Sequence, residues 1–351
     1  MTKRLVDWIG PEALKIPFNI MAHNIGCTDS TIRNIFLEYT DLKAKELSFK
    51  TPRVLGIDEI CLGKKKRDKY RCVVTDIERK TLVEFLQDRD KKTVIKFFQA
   101  LNSKDVEVVC MDMWPSYRDA AKIVFPDAVR VVDRFHIARM VQNSMEAFRK
   151  AIRKLTTGKE RAMLKNDRFV LLSRNIDLDI FQQATLKSWF RKWPDIEHVY
   201  DCKERFLDIW LAETRAEAMM LYEAWESSIP SHVKSYFTDI FSAFDNWSHE
   251  IFNYWDLKFT NAFTEALNNG IRSVYSAGNG YSFEVLRAKL LYTKGTHKLY
   301  EVKPRYNKRA FEAYDTYAFT KVTSRAPEPT ETINYGVDIS TLLAFIETGK
   351  I

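Results

Sequence analysis

The chain has 351 residues, long enough for two or three domains and too long for one small module. Lys and Arg number 55 against 47 Asp and Glu, and the resulting net charge of +8 suits a polyanionic partner. With 46% hydrophobic and 13% aromatic residues the composition excludes a disordered or fibrous chain, and no apolar run approaches the roughly 18 residues of a membrane span. No signal segment opens the sequence at Met1-Thr2-Lys3-Arg4, so a cytoplasmic, nucleoid-associated location is expected. The cysteines Cys27, Cys61, Cys72, Cys110 and Cys202 include no C-x-x-C pair, which disfavours a disulfide framework and a zinc ribbon and reads as reduced, mostly buried thiols.

Short helical patterns fill the first forty residues. Ile9-Gly10-Pro11 breaks one, Pro17 to Ala22 begins another, and Gly26 to Ser30 separates it from Thr31 to Phe36. Residues 1–48 therefore read as a helix-turn-helix unit. Ala22 stands at the close approach of two helices, Gly26 in the tight turn, and Thr28 or Asp29 caps a helix carrying Arg33. Seven basic against six acidic residues over 1–50 leave an ordinary three-helix unit as the competing reading.

From Arg53 the period changes to that of strands. Arg53 to Asp58, Tyr70 to Ile77 and Thr81 to Phe85 form three strands joined by hairpins. A helix at Val94 to Leu101 leads to the apolar run Val106 to Met111, of the kind that central parallel strands show, and a helix at Ser116 to Phe125 leads to a fifth strand at Ala128 to Val132. The order βββαβαβ is that of an α/β, ribonuclease-H-like mixed sheet, whose first part spans 49–136.

Residues 137–255 carry no convincing strand and read as a large all-α insertion. Amphipathic stretches run from Ile137 to Leu155, Phe181 to Trp193, Arg205 to Trp225 and Ser231 to Asn246, with Trp189, Trp193, Trp210, Trp225 and Trp247 filling helix contacts. The last part of the α/β domain, 256–300, begins a helix near Asn261 and holds another at Phe283 to Tyr292. A C-terminal extension, 301–351, ends in an amphipathic segment from Ile339 to Ile346.

Asp58 is expected to end the first strand and Asp112 the fourth, and these two strands are parallel neighbours in such a sheet. Two carboxylates then converge, which is unfavourable unless a cation lies between them. Oxygen ligands without clustered Cys or His select Mg²⁺ or Mn²⁺, and two such ions suit in-line phosphoryl transfer. Glu265, Asn268, Asn269 and Arg272 share one helix face at i, i+3, i+4 and i+7, anchored by Ala262, Phe263, Ala266, Leu267 and Ile271. A lone Asp after a strand is more often a turn residue or a cap. The combination of three acids with this strand order favours a metal site.

The phrases Gly56-Ile57-Asp58-Glu59, Asp112-Met113-Trp114-Pro115-Ser116-Tyr117, Asp133-Arg134-Phe135-His136 and Asn261-Ala262-Phe263-Thr264-Glu265-Ala266-Leu267-Asn268-Asn269 resemble the DDE transposases of bacterial insertion sequences, in particular the ISL-three family. The resemblance covers most of the chain to about Lys298. It implies a metal-dependent recombinase that cuts and rejoins the ends of a mobile element, with Asp58, Asp112 and Glu265 as catalytic, metal-binding acids and two Mg²⁺ or Mn²⁺ ions. Asp133 and His136 match a D-x-x-H element and support the site along with Asn268, orienting a ligand or contacting DNA. A helix cap at Asp133 with a packed His136 is the alternative. Family members usually carry an N-terminal cysteine-rich zinc ribbon, and this sequence has no C-x-x-C pair from which to build one.

Basic residues expected to touch double-stranded DNA fall in the first hairpin (Lys64, Lys65, Lys66 and Arg67), on the third N-terminal helix (Arg33), and at Arg272, Lys289, Lys294 and Lys298. A homodimer or higher multimer acting on paired element ends is expected. Two other functions fit the residues less well: a structure-specific nuclease with the same sheet and no strand transfer, and a non-catalytic DNA-binding regulator, which has no need of three acids.

Overall fold

The alternation that begins at Arg53 becomes a five-stranded mixed sheet in the computed structural model, which describes residues 1–46, 50–63 and 70–299. Strands β1 (Val54–Cys61), β2 (Tyr70–Asp76) and β3 (Thr81–Leu86) pair antiparallel. On its other edge β1 pairs in parallel with β4 (Val108–Met111), and β4 with β5 (Val129–Val132), giving the order β3-β2-β1-β4-β5. Parallel neighbours need crossovers. Helix α5 (Pro115–Val124) joins β4 to β5, and the path from the meander to β4 runs through α4 (Lys91–Phe98). The expected sequence of elements is present, with one correction: β1 runs on to Cys61, so Asp58 lies inside the strand rather than at its end.

Successive side chains divide the sheet into two faces. Leu55, Ile57, Val109 and Met111 pack with Val94, Phe98, Tyr117 and Ala121 of α4 and α5. Val54, Val108 and Cys110 belong to the opposite layer, the large core of the following helices. Burial on both faces is why β1 and β4 read as nearly unbroken apolar runs.

Those following helices are α6 (Arg134–Leu155), α7 (Gly158–Asn166), α8 (Arg168–Leu172), α9 (Ile180–Lys192), α10 (Pro194–Asp208), α11 (Arg215–Ser228) and α12 (Thr238–Leu257). No strand interrupts them. The stretch expected from Arg205 to Trp225 is instead two helices. After Asp208 the chain makes a 3₁₀ turn at Ile209–Leu211, and the Thr214 side chain caps α11 by accepting from the Glu217 amide at 3.2 Å. The stretch from Ser231 begins as a 3₁₀ turn at Lys234–Phe237 and runs on in α12 to Leu257, where Lys258 takes a left-handed conformation. Trp189, Trp225 and Trp247 are buried, Trp210 stacks on Trp255 at 4.8 Å, and the Trp225 indole donates to the Cys202 carbonyl at 2.8 Å. Helix α12 returns to the sheet, where Asn253 Nδ2 donates to the Arg130 carbonyl of β5 at 2.8 Å.

At the N-terminus lie α1 (Lys3–Glu12), α2 (Phe18–Ile25) and α3 (Asp29–Ala44). Gly10-Pro11 does not break α1. Pro11 sits in its last turn, where the missing amide costs one bond and burial of Ile9 and Ala13 holds the helix in place. Gly26, at φ +76°, ends α2, and Thr28 rather than Asp29 caps α3 by accepting from the Thr31 amide at 3.3 Å.

Two further helices, α13 (Ala262–Ala277) and α14 (Phe283–Lys294), complete the described chain. One side of α14 packs Leu286 and Leu290 on Leu82 and Phe85 of the sheet. Its Val285 and Tyr292 join Phe18 and Phe36 of the N-terminal helices. The basic run 64–67 and the extension from 301 onward, with its segment Ile339 to Ile346, lie outside the described residues.

Candidate active site

The three parallel strands place acids in one row. Ile57 of β1 is in register with Met111 of β4, and Met111 with Val132 of β5. The residues that follow are Asp58 within β1 and Asp112 and Asp133 just beyond the ends of β4 and β5, and the Asp133 amide donates to the Met111 carbonyl at 3.0 Å. Asp58 and Asp112 follow core residues of the α4–α5 layer, so the strand alternation turns both toward the opposite face. Asp133 then caps α6, accepting from the Phe135 amide at 3.4 Å, and His136 stands in that helix's first turn. Asp133 is thus the helix cap of the alternative reading, and the His136 ring faces Asp112 and Glu265.

Helix α13 approaches from the side. Gly56 permits this, since a Cβ there would lie 2.5 Å from the Asn261 Oδ1 and the Thr75 Oγ1. Asn261 Nδ2 donates to the Ile57 carbonyl at 3.0 Å, the Thr264 hydroxyl donates to Asn261 Oδ1 at 2.5 Å and lies 2.7 Å from that of Thr75, and Asn268 Nδ2 donates to Asp58 Oδ2 at 2.6 Å. Asn261 and Thr264 are fully buried. In the sequence Asn261 marks the start of a helix, and neither residue stands out from the phrase that holds them. Their spacing with Asn268, at i, i+3 and i+7, is the one trace of a helix stitched to a strand through polar groups. The face expected to be polar is thereby divided. Glu265 and Asn268 turn inward, Asn269 and Arg272 hydrogen-bond to each other at the surface at 3.1 Å, and Ala262 and Ala266 are exposed rather than anchoring.

Around His136 the acids close in two overlapping groups. Ligand atoms of Asp58, Asp112 and His136 lie within 4.8 Å of one another, as do those of Asp133, His136 and Glu265. His136 Nε2 is 3.0 Å from Asp112 Oδ1 and 3.5 Å from Glu265 Oε1. The first of these contacts lacks the alignment of a hydrogen bond, and Asp112 Oδ1, Asp133 Oδ2 and His136 Nε2 are buried without a hydrogen-bond partner. Unpartnered buried atoms are costly. A donor set of carboxylate oxygens and one imidazole converging on common space fits a divalent cation.

The electrostatics agree with the geometry. Burial, and then the charge of Asp58, push the Asp112 carboxyl far above the usual carboxylate range. Burial, followed by the charges of Asp133 and Asp58, raises Glu265 to about 7, and burial also raises Asp133. Burial is the largest cause of all three shifts, and neighbouring negative charge adds to it.

Of the residues expected to touch DNA, Arg33, Arg272 and Lys298 are exposed and Lys294 is half-buried. Lys289 is a correction. It is buried on α14, donates to the carbonyls of Ala13 and Ile16, and lies 4.8 Å from the Phe18 ring, so its cation serves packing rather than a phosphate. Lys64, Lys65, Lys66 and Arg67 lie outside the described residues. Trp114 is partly exposed with the Arg89 guanidinium over its ring at 4.2 Å, while Tyr117 is buried in the core.

Acids gathered at adjacent parallel strands, with a helix bringing a further carboxylate, form a group of side chains that could hold a divalent cation. Residues 55–290, well over half of the chain, match the family model described as a transposase. The chain belongs to the ISL-three family of DDE transposases. A comparison with curated proteins finds no match. Among the described residues, no helix is long and apolar enough to cross a membrane.

Proposed function

We propose that this transposase cleaves a phosphodiester at the end of an insertion sequence and joins the freed 3′-hydroxyl to target DNA, with Asp58, Asp112 and Glu265 as its catalytic acids. The observation that carries this is the convergence of Asp58, Asp112, Asp133 and Glu265 on His136, with buried atoms left unpartnered. Asp58, Asp112 and Glu265 would hold two Mg²⁺ or Mn²⁺ ions, which when bound supply activation of the attacking oxygen and stabilisation of the leaving one. Asn268 fixes the Asp58 carboxylate through its 2.6 Å hydrogen bond. His136, with Nε2 between Asp112 and Glu265 and without a hydrogen-bond partner, would complete the donor set as a further ligand.

The strand order and the mixed pairing support a ribonuclease-H-like catalytic core divided by a helical insertion over 137–255. The short turn from Gly26 to Thr28 between α2 and α3, with Arg33 exposed on α3, supports a helix-turn-helix that reads element ends. Arg272, Lys294 and Lys298 add phosphate contacts, and a dimer or larger multimer brings two ends together.

The test is incubation of the purified chain with Mg²⁺, labelled element-end DNA and a plasmid target. Wild-type protein is expected to give nicked ends and joined product, and Asp58→Asn, Asp112→Asn and Glu265→Gln neither, while all three retain end binding. Cleavage without any joined product would make the protein a nuclease. Full activity in any of the three variants would overturn the assignment of that acid.

A further inference from the structure

Far along the chain from the acids, on the surface of the helical region, three side chains meet that the proposed reaction does not use. Asp195 and His198 stand at i and i+3 in the first turns of α10, and His232 follows Pro230 in the link between α11 and α12. His232 Nε2 is 3.2 Å from Asp195 Oδ1 and 3.4 Å from His198 Nδ1, and His198 Nδ1 is 3.8 Å from Asp195 Oδ1. We propose that these three residues form a second metal site, selective for Zn²⁺ or a chemically similar transition cation, that pins the start of α10 to the α11–α12 link.

The triangle has the dimensions such an ion requires. Tetrahedral zinc with bonds of about 2.0–2.1 Å to nitrogen and oxygen sets its ligand atoms about 3.3–3.4 Å apart, close to two of the three edges found here, the third being 3.8 Å. Two of the chain's six histidines occupy this one place. Their rings are tilted by 70° with centroids 5.3 Å apart, so they are not stacked, and a nitrogen of each approaches the same carboxylate oxygen. Facing nitrogens at 3.4 Å repel when both carry protons and when neither does. A shared cation removes the conflict without a choice of tautomer. Each of the three side chains is about half exposed, leaving a fourth position open to water. Glu197 and Asp201 on the same helix add negative charge nearby.

The donor set separates this site from the acid cluster. Two imidazoles and one carboxylate favour Zn²⁺, Ni²⁺ or Cu²⁺ over Mg²⁺, whereas the cluster around Asp58 and Asp112 is dominated by carboxylates. The proposal does not depend on the reaction assigned to that cluster.

The test uses the full chain stripped of metal and then held in excess Mg²⁺. Calorimetric titration with Zn²⁺ is expected to show one tight equivalent, and Co²⁺ to give the visible bands of a tetrahedral complex that Zn²⁺ bleaches. Loss of a direct ligand should weaken binding by more than the ~10-fold seen for supporting groups, so His198→Ala and His232→Ala should each lose the Co²⁺ spectrum. Asp112→Asn and His136→Ala should keep it. The melting temperature of wild type should rise with Zn²⁺ and that of His232→Ala should not, with the two equal in the absence of metal. Unchanged Zn²⁺ uptake in the double variant His198→Ala, His232→Ala, or no uptake by wild type, would overturn the proposal.

Discussion

At Asp112 burial and a neighbouring charge act in the same direction, and both favour the neutral carboxyl. A carboxyl whose pKa is higher in the folded than in the unfolded chain supports the fold below its unfolded value, and that support is lost as pH rises through the folded value. Without divalent ions, Asp112→Asn should therefore melt above wild type at about pH 8, with the gap closing as pH falls to about 3, where the carboxyl is mostly protonated in both states. Saturating Mg²⁺ should reverse the order, because only wild type retains the full ligand set. Melting curves across pH, with and without Mg²⁺, check this, and a difference independent of both would contradict it. Asn268 acts through Asp58. Removal of its 2.6 Å hydrogen bond in Asn268→Ala should slow end cleavage about 10–100-fold with end binding intact, as single-turnover cleavage beside a binding titration would show.

Helix α13 carries Glu265 to the other acids, and it meets β1 through the polar contacts of Asn261 and Asn268 beside the apolar packing of Leu267 and Ile271 in the cluster that holds Ile60. Gly56→Ala would push Asn261 and Thr75 away from the strand, destabilising the fold by about 1–3 kcal/mol and moving Glu265 with the helix. Urea unfolding and cleavage assays should register both losses together, and a variant stable as wild type and fully active would refute the docking role. The strands were legible because short, nearly unbroken apolar runs covered on both faces leave a strong mark, as at Val108–Met111. The break at Asp208 was not, since the amphipathic pattern continues through it and only the Thr214-x-x-Glu217 cap betrays the new helix. The acids Asp58, Asp112 and Glu265 were legible as positions. Which atoms meet was not, because the place of His136 between two carboxylates follows from a tertiary approach that no local pattern encodes. Lys289 shows the same limit from the other side. A basic residue on an amphipathic helix reads as a phosphate contact until its neighbours, the carbonyls of Ala13 and Ile16, are known.

Across the whole molecule a net charge of +8 meets a polyanion, and binding should weaken steeply with salt. Lys298→Ala should lower the salt slope by about one, whereas Lys289→Met should leave it unchanged. Arg33→Ala should shrink the footprint on end sequences relative to unrelated DNA. Fluorescence titrations at several salt concentrations and footprinting distinguish these outcomes, and a lowered slope in Lys289→Met would return that cation to the DNA surface. The proposed cleavage and joining, unlike these binding effects, depend on a cation gathering the acids around His136. The most direct measurement is anomalous scattering from crystals soaked in Mn²⁺. The expected result is a peak in contact with the Asp58 and Asp112 carboxylates that is lost in Asp112→Asn. An empty pocket in crystals of protein that still cleaves element ends in Mn²⁺ would contradict the account.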